Sequence, residues 1–129
     1  MRIRTRISSV LCTLTLLLAG FAFTVATAAP ASAADRDGAC NSGEFCYYFN
    51  SGEAGSISDF TGSIADYGTT QPSCYDFKGA GNGQGVCVKN NAASVWNRSS
   101  KTVRVYFNSG YAGAHQDFAP GAKANLRPR

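Results

Sequence analysis

The chain has 129 residues, 44% of them hydrophobic, with five cysteines and a single histidine. Twelve Lys+Arg stand against eight Asp+Glu, but three of the arginines fall within the first six residues; without residues 1–33 nine basic residues face eight acids, a balance of +1. That leaves no basic surplus to argue for nucleic acid as a partner.

The chain opens on Arg2, Arg4 and Arg6, an apolar run from Val10 to Phe23 and small residues ending in A-S-A-A-D at 31–35. This three-part layout predicts a secretory signal peptide over residues 1–33, cleaved after Ala33, with no membrane attachment afterwards. The apolar run is too short for a membrane span. A single domain is expected over 34–129, in the extracellular medium and as a monomer.

Cys12 leaves with the leader, so Cys40, Cys46, Cys74 and Cys87 form an even set in an oxidising compartment and predict two disulfides. Spacing alone does not choose among the three pairings; Cys40–Cys46 with Cys74–Cys87 is preferred. Each bridge is worth about 2–4 kcal/mol in a domain of this size. With no C-x-x-C pair and only His115, a zinc site is not indicated.

From Phe45 to Phe60 the sequence reads F-C-Y-Y-F-N-S-G-E-A-G-S-I-S-D-F, and 58 residues later V-R-V-Y-F-N-S-G-Y-A-G-A-H-Q-D-F, ending at Phe118. Nine of the thirteen positions from Tyr48 to Phe60 are identical to their counterparts. Such self-similarity predicts one supersecondary unit built twice. Apolar residues alternate before each N-S-G-x-A-G turn, as on a half-buried antiparallel strand, and the glycines permit the positive φ of a tight turn. A third strand is expected in each copy, near Tyr67 in the first and Leu126 in the second. The first copy then runs through a glycine-rich loop into V-C-V-K-N-N-A-A-S-V-W-N (Val86–Asn97); the second ends at Arg129 without an equivalent. No segment after the leader sustains a 3.6-residue period, so helix content should be low.

The repeated pattern, an aromatic pair, a glycine hairpin and a further glycine three residues on, resembles the βγ-crystallin Greek-key motif. It implies an all-β, βγ-crystallin-like Greek-key sandwich of two repeated motifs, the second truncated, stapled by two disulfides.

Catalysis is not indicated. His115 and Asp117 fall where Ile57 and Asp59 stand in the other copy, so the repeated aspartate reads as structural. No serine sits in a nucleophile elbow, the thiols are committed to disulfides and the eight carboxylates are scattered. G-A-G-N-G-Q-G (Gly79–Gly85) lacks the lysine, the Ser/Thr and the following helix of a phosphate loop.

N-N-A-A-S-V (Asn90–Val95) resembles the βγ-crystallin calcium motif, with Val95 where serine is expected. The resemblance implies Asn91 and Ser94 as calcium ligands, together with the turn around Ser109 and Tyr111. This set offers calcium no carboxylate, which weakens the binding of a hard cation. The competing reading is that these residues only lock the turn through hydrogen bonds.

C-x5-C before the first repeat, the two N-S-G-x-A-G turns and V-K-N-N-A-A-S-V-W-N together resemble the secreted actinobacterial metalloproteinase inhibitors typified by the Streptomyces inhibitor of thermolysin-like enzymes. The resemblance spans Cys40 to about Leu126. It implies an inhibitor, not an enzyme, that needs no cofactor and fills the cleft of a secreted metallopeptidase with an exposed, disulfide-braced loop. In such a loop Tyr75 after Cys74, or Val88 after Cys87, would supply the apolar residue that follows the scissile bond. The alternative is a non-inhibitory calcium-binding or extracellular interaction module of the same fold.

Overall fold

A computed structural model describes residues 35–128; the leader predicted over 1–33 lies outside the described residues. The described chain is all β, with no helix. Six strands follow in order: β1 (Phe45–Asn50), β2 (Ala54–Phe60), β3 (Ser94–Asn97), β4 (Val103–Asn108), β5 (Ala112–Phe118) and β6 (Lys123–Asn125). One sheet has the order β2-β1-β3-β6, antiparallel at every junction, and β4 and β5 form a second, two-stranded sheet.

The two hairpins are built alike. Phe45 pairs with Phe60 as Val103 does with Phe118, Tyr48 with Ile57 as Tyr106 does with His115, and both ladders slip at the residue before the turn. The turns match too: positive φ occurs at Gly52, Glu53 and Gly55 and again at Gly110, Tyr111 and Gly113. Glycine is required at the last position, because a Cβ on Gly113 would stand 2.7 Å from the Asn108 amide.

Their surroundings differ. β1 lies between β2 and β3, and its first four residues are all buried, so it is covered on both faces and not half-buried as its alternation predicts. Phe45 and Tyr47 enter the core, while Cys46 carries the disulfide to Cys40. In β4 none of the six residues is fully buried. The core gathers Phe45, Tyr47, Phe60, Phe77, Val88 and Val95 with Phe118 from the second sheet.

Of the two expected third strands only β6 forms. Its counterpart near Tyr67 is not a strand; Ala65 accepts one backbone hydrogen bond from Gly110 on the second hairpin. The two aspartates of the repeat are both structural, with different partners. Asp59 is fully buried and accepts the backbone N–H groups of Asp37 and Gly38, whereas Asp117 makes a two-pronged pair with Arg104 at 2.8 and 2.9 Å on the surface.

Candidate functional site

The disulfides join Cys40 to Cys46 and Cys74 to Cys87, the preferred pairing. The second closes a short antiparallel ladder. Val88 N–H donates to Tyr75 O and Phe77 N–H to Val86 O, while Asp76 and Cys87 form a bridge pair. The tip of this loop, residues 78–84, is fastened to β2. Lys78 and Gly79 donate to Ile57 O, Ser56 N–H donates to Asn82 O, and the Ser56 hydroxyl donates to Gly79 O. Phe77, 1% exposed, plugs the loop into the core and meets Phe49 edge-on.

The four residues predicted for partner contact therefore fare differently. Cys74 and Cys87 are buried, and Val88, 3% exposed, belongs to the core. Tyr75 is 37% exposed. It follows an exposed run, T-T-Q-P-S over residues 69–73, in which Ser73 and Cys74 both donate to Thr70 O. Its backbone is tied on both sides: its N–H donates to Tyr67 O and its carbonyl accepts from Val88. Its ring leans on Phe60 and Tyr67 at 5.6 and 6.0 Å, with the Arg36 guanidinium 5.4 Å away. Tyr75 is thus an aromatic residue held in one orientation at the surface.

Arg36 is a part of this arrangement that sequence reasoning missed. It stacks on Phe60 at 4.3 Å, donates to the backbone oxygens of Asp59 and Asp76, and pairs with the Asp76 carboxylate at 3.6 Å. Burial opposes the charge of Asp76, but hydrogen bonds from Lys78 and Gln71 and the Lys78 charge outweigh it, so the carboxyl stays below its ordinary range. One signal was available: Arg36 is the only basic residue between positions 35 and 77.

This chain's sequence matches the family model of peptidase inhibitor family I36 over residues 33–118, well over half its length. The chain belongs to peptidase inhibitor family I36. Among curated proteins and solved structures, none matches it. Family membership makes the protein a non-enzymatic inhibitor and its partner a protease. His115 is exposed against Tyr106, and Asp117 is paired with Arg104.

The residues predicted for calcium are engaged separately. Ser94, fully buried, donates to Asn50 O and accepts from Glu53 N–H, so it locks the first hairpin's turn. The Asn91 amide donates to the carbonyls of Cys87 and Lys89. Ser109 receives the Lys89 ammonium, which also pairs with Asp66 at 3.1 Å, and Tyr111 is half exposed against Tyr106. The carboxylates are not scattered in space. Asp37, Glu44 and Asp59 converge, with one oxygen from each lying within 4.8 Å of the others.

Proposed function

We propose that the protein is a secreted, monomeric inhibitor of metallopeptidases that presents the Cys74–Tyr75 bond to the enzyme cleft in the manner of a substrate. The observation that carries this reading is the setting of Tyr75: exposed, aromatic, and restrained on both sides of the bond. Tyr75 is held by hydrogen bonds to Tyr67 and from Val88, and Cys74 by its disulfide. A segment already in its bound shape loses little entropy on docking. If the peptide bond is cut, both new ends remain tethered, which keeps the new amine beside the new carboxylate and favours re-forming the bond, with loss of water, over release. A rigid tyrosine is also a common energetic anchor in protein interfaces. Val88 is the weaker choice for the residue after the scissile bond, because reaching a cleft would empty the core. The reading requires no cofactor.

The strand order supports a Greek-key origin for this scaffold. After residues 61–93, β3 returns to lie beside β1, and β6, which continues the second copy, crosses into the first copy's sheet. The second copy thus lends the first a strand, the kind of exchange expected of paired motifs in a βγ-crystallin-like fold, while the first returns only the backbone hydrogen bond from Gly110 to Ala65.

Titration of the purified protein against thermolysin, with a serine protease as control, tests the function. The expected result is stoichiometric inhibition of the metallopeptidase alone. Tyr75→Ala should weaken inhibition by about tenfold or more, about 1.4 kcal/mol, with little change in melting temperature. Val88→Ala should lower the melting temperature instead. Inhibition of the serine protease alone would overturn the metallopeptidase reading, and full potency in Tyr75→Ala would overturn the proposed bond.

A further inference from the structure

We propose that Asp37, Glu44 and Asp59 form a binding site for a hard divalent cation, calcium foremost, that fastens the amino-terminal segment of the domain to β2. The three carboxylates come from different parts of the chain: the segment before the first disulfide, the residue preceding β1, and the end of β2. Oxygens bound to one calcium ion at about 2.3–2.6 Å can stand no further apart than about twice that distance. One oxygen from each residue lies within 4.8 Å of the others, which meets this limit.

A second observation makes this more than an acidic cluster. Glu44 is fully buried, and its Oε1 has no hydrogen-bond partner, the one buried side-chain oxygen or nitrogen so placed among the described residues. Its other oxygen accepts the Asn41 N–H at 2.7 Å. An orphaned carboxylate oxygen in a buried setting, beside two further carboxylates, calls for a cation or a proton, because burying a bare charge is costly. Among the described residues no basic side chain forms an ion pair with any of the three; Arg36, the nearest in sequence, gives its guanidinium to Asp76, Ser58 and the carbonyl of Asp59.

The ligand chemistry selects the ion. All the donors are oxygens, the only histidine is on β5, and Cys40 and Cys46 are disulfide-bonded, so soft or borderline metals find nothing they prefer. Three carboxylates suit calcium, whereas magnesium demands a tighter octahedron. The surrounding chain is already shaped for the task. Asp59 accepts the N–H groups of Asp37 and Gly38, and Asp37 accepts those of Ala39 and the Asn41 side chain, so the backbone from 37 to 41 wraps the cluster.

The test is thermal unfolding of the disulfide-intact protein in EDTA, in millimolar calcium chloride and in millimolar magnesium chloride, with calorimetric titration of calcium. A ligand bound only by the folded state raises its melting temperature. Calcium is expected to do so, with a dissociation constant of about 0.1–1 mM as in extracellular modules, and magnesium to do so less. Glu44→Gln keeps the shape of the buried side chain and should weaken calcium at least tenfold; Asp37→Asn, on the exposed rim, should do the same without risk to the core. Asn91→Ala should leave the response intact. The proposal is overturned if calcium neither binds nor shifts the melting temperature, or if its effect survives both carboxylate variants. It is also overturned if Asn91→Ala alone abolishes the effect, which would place the ion at 90–94. None of these readouts involves a protease, so the result is independent of the inhibitory reading.

Discussion

Asn97 shows how one side chain can hold two sheets together. It is fully buried at the end of β3, and its amide donates to Lys101 O at 2.8 Å and Phe118 O at 2.9 Å. Its oxygen accepts the N–H and the hydroxyl of Ser99. Every polar atom of the side chain is thus satisfied, and removing it strands carbonyls away from water. Asn97→Ala should cost about 1–3 kcal/mol for each buried group left unpaired, read as a lower denaturation midpoint in urea. Two glycines of the Cys74–Cys87 loop offer a second comparison. Gly83 and Gly85 both have positive φ, but a Cβ on Gly83 would run into the Phe49 ring while one on Gly85 meets open space. Gly85→Ala should cost only backbone strain, about 1–3 kcal/mol, and Gly83→Ala distinctly more in the same melts. Neither distinction was legible in G-A-G-N-G-Q-G, where the glycines look interchangeable. What separates them is a contact across 34 residues of sequence.

At the level of elements, the Cys74–Cys87 loop owes its shape to charge as well as to its disulfide. Asp76 pairs with Lys78 at 2.8 Å and Arg36 at 3.6 Å; burial raises its carboxyl, but hydrogen bonds from Lys78 and Gln71 and the Lys78 charge outweigh this and hold it below the ordinary range in the folded protein. A carboxyl depressed on folding contributes stability above its unfolded pKa and loses that contribution as pH falls through the folded value. Wild type should therefore be more stable than Asp76→Asn at neutral pH, with the difference shrinking toward zero in acid; paired melts from pH 7 down to pH 2 check it. A difference that grows on acidification would refute the assignment. Much of this element was readable beforehand. The turn-rich stretch between Cys74 and Cys87 and the two hairpins with their N-S-G-x-A-G turns follow from sequence, whereas the pairing of Cys74 with Cys87 was a preference among three that spacing alone left open. The docking of the tip on β2 was not, because the Ser56 and Ile57 groups that hold it look like ordinary strand residues. The clustering of acids was hidden by arithmetic. A net balance of +1 conceals that seven of the eight acids but only one basic residue lie between positions 35 and 77.

Across the whole molecule the two hairpins, alike in sequence and register, should differ in stability. β1 and β2 sit in a four-stranded sheet, and β1 is buried on both faces; β4 and β5 have only each other, and most of their residues are exposed or half exposed. A two-stranded ribbon is marginal alone and depends on its attachments. Its attachments include Phe118 in the core against Phe45, the Asn97 amide on Phe118 O, the Gly110–Ala65 hydrogen bond at the turn, and Gln116 of β5, which donates to Asn125 O on β6. Amides that exchange by local opening report the stability of the unit they belong to. Native-state hydrogen exchange should therefore find β1 amides, those of Tyr47 and Tyr48 among them, exchanging only on global unfolding, while β4 and β5 amides exchange through a cheaper opening of the ribbon. Asn97→Ala should widen this gap by lowering protection in β4 and β5 further than global stability falls. Equal protection in the two hairpins would mean that the ribbon's attachments bind it as firmly as a full sheet would. The prediction rests on an unequal division of the described strands: β1 closes on both β2 and β3, whereas β4 and β5 pair only with each other.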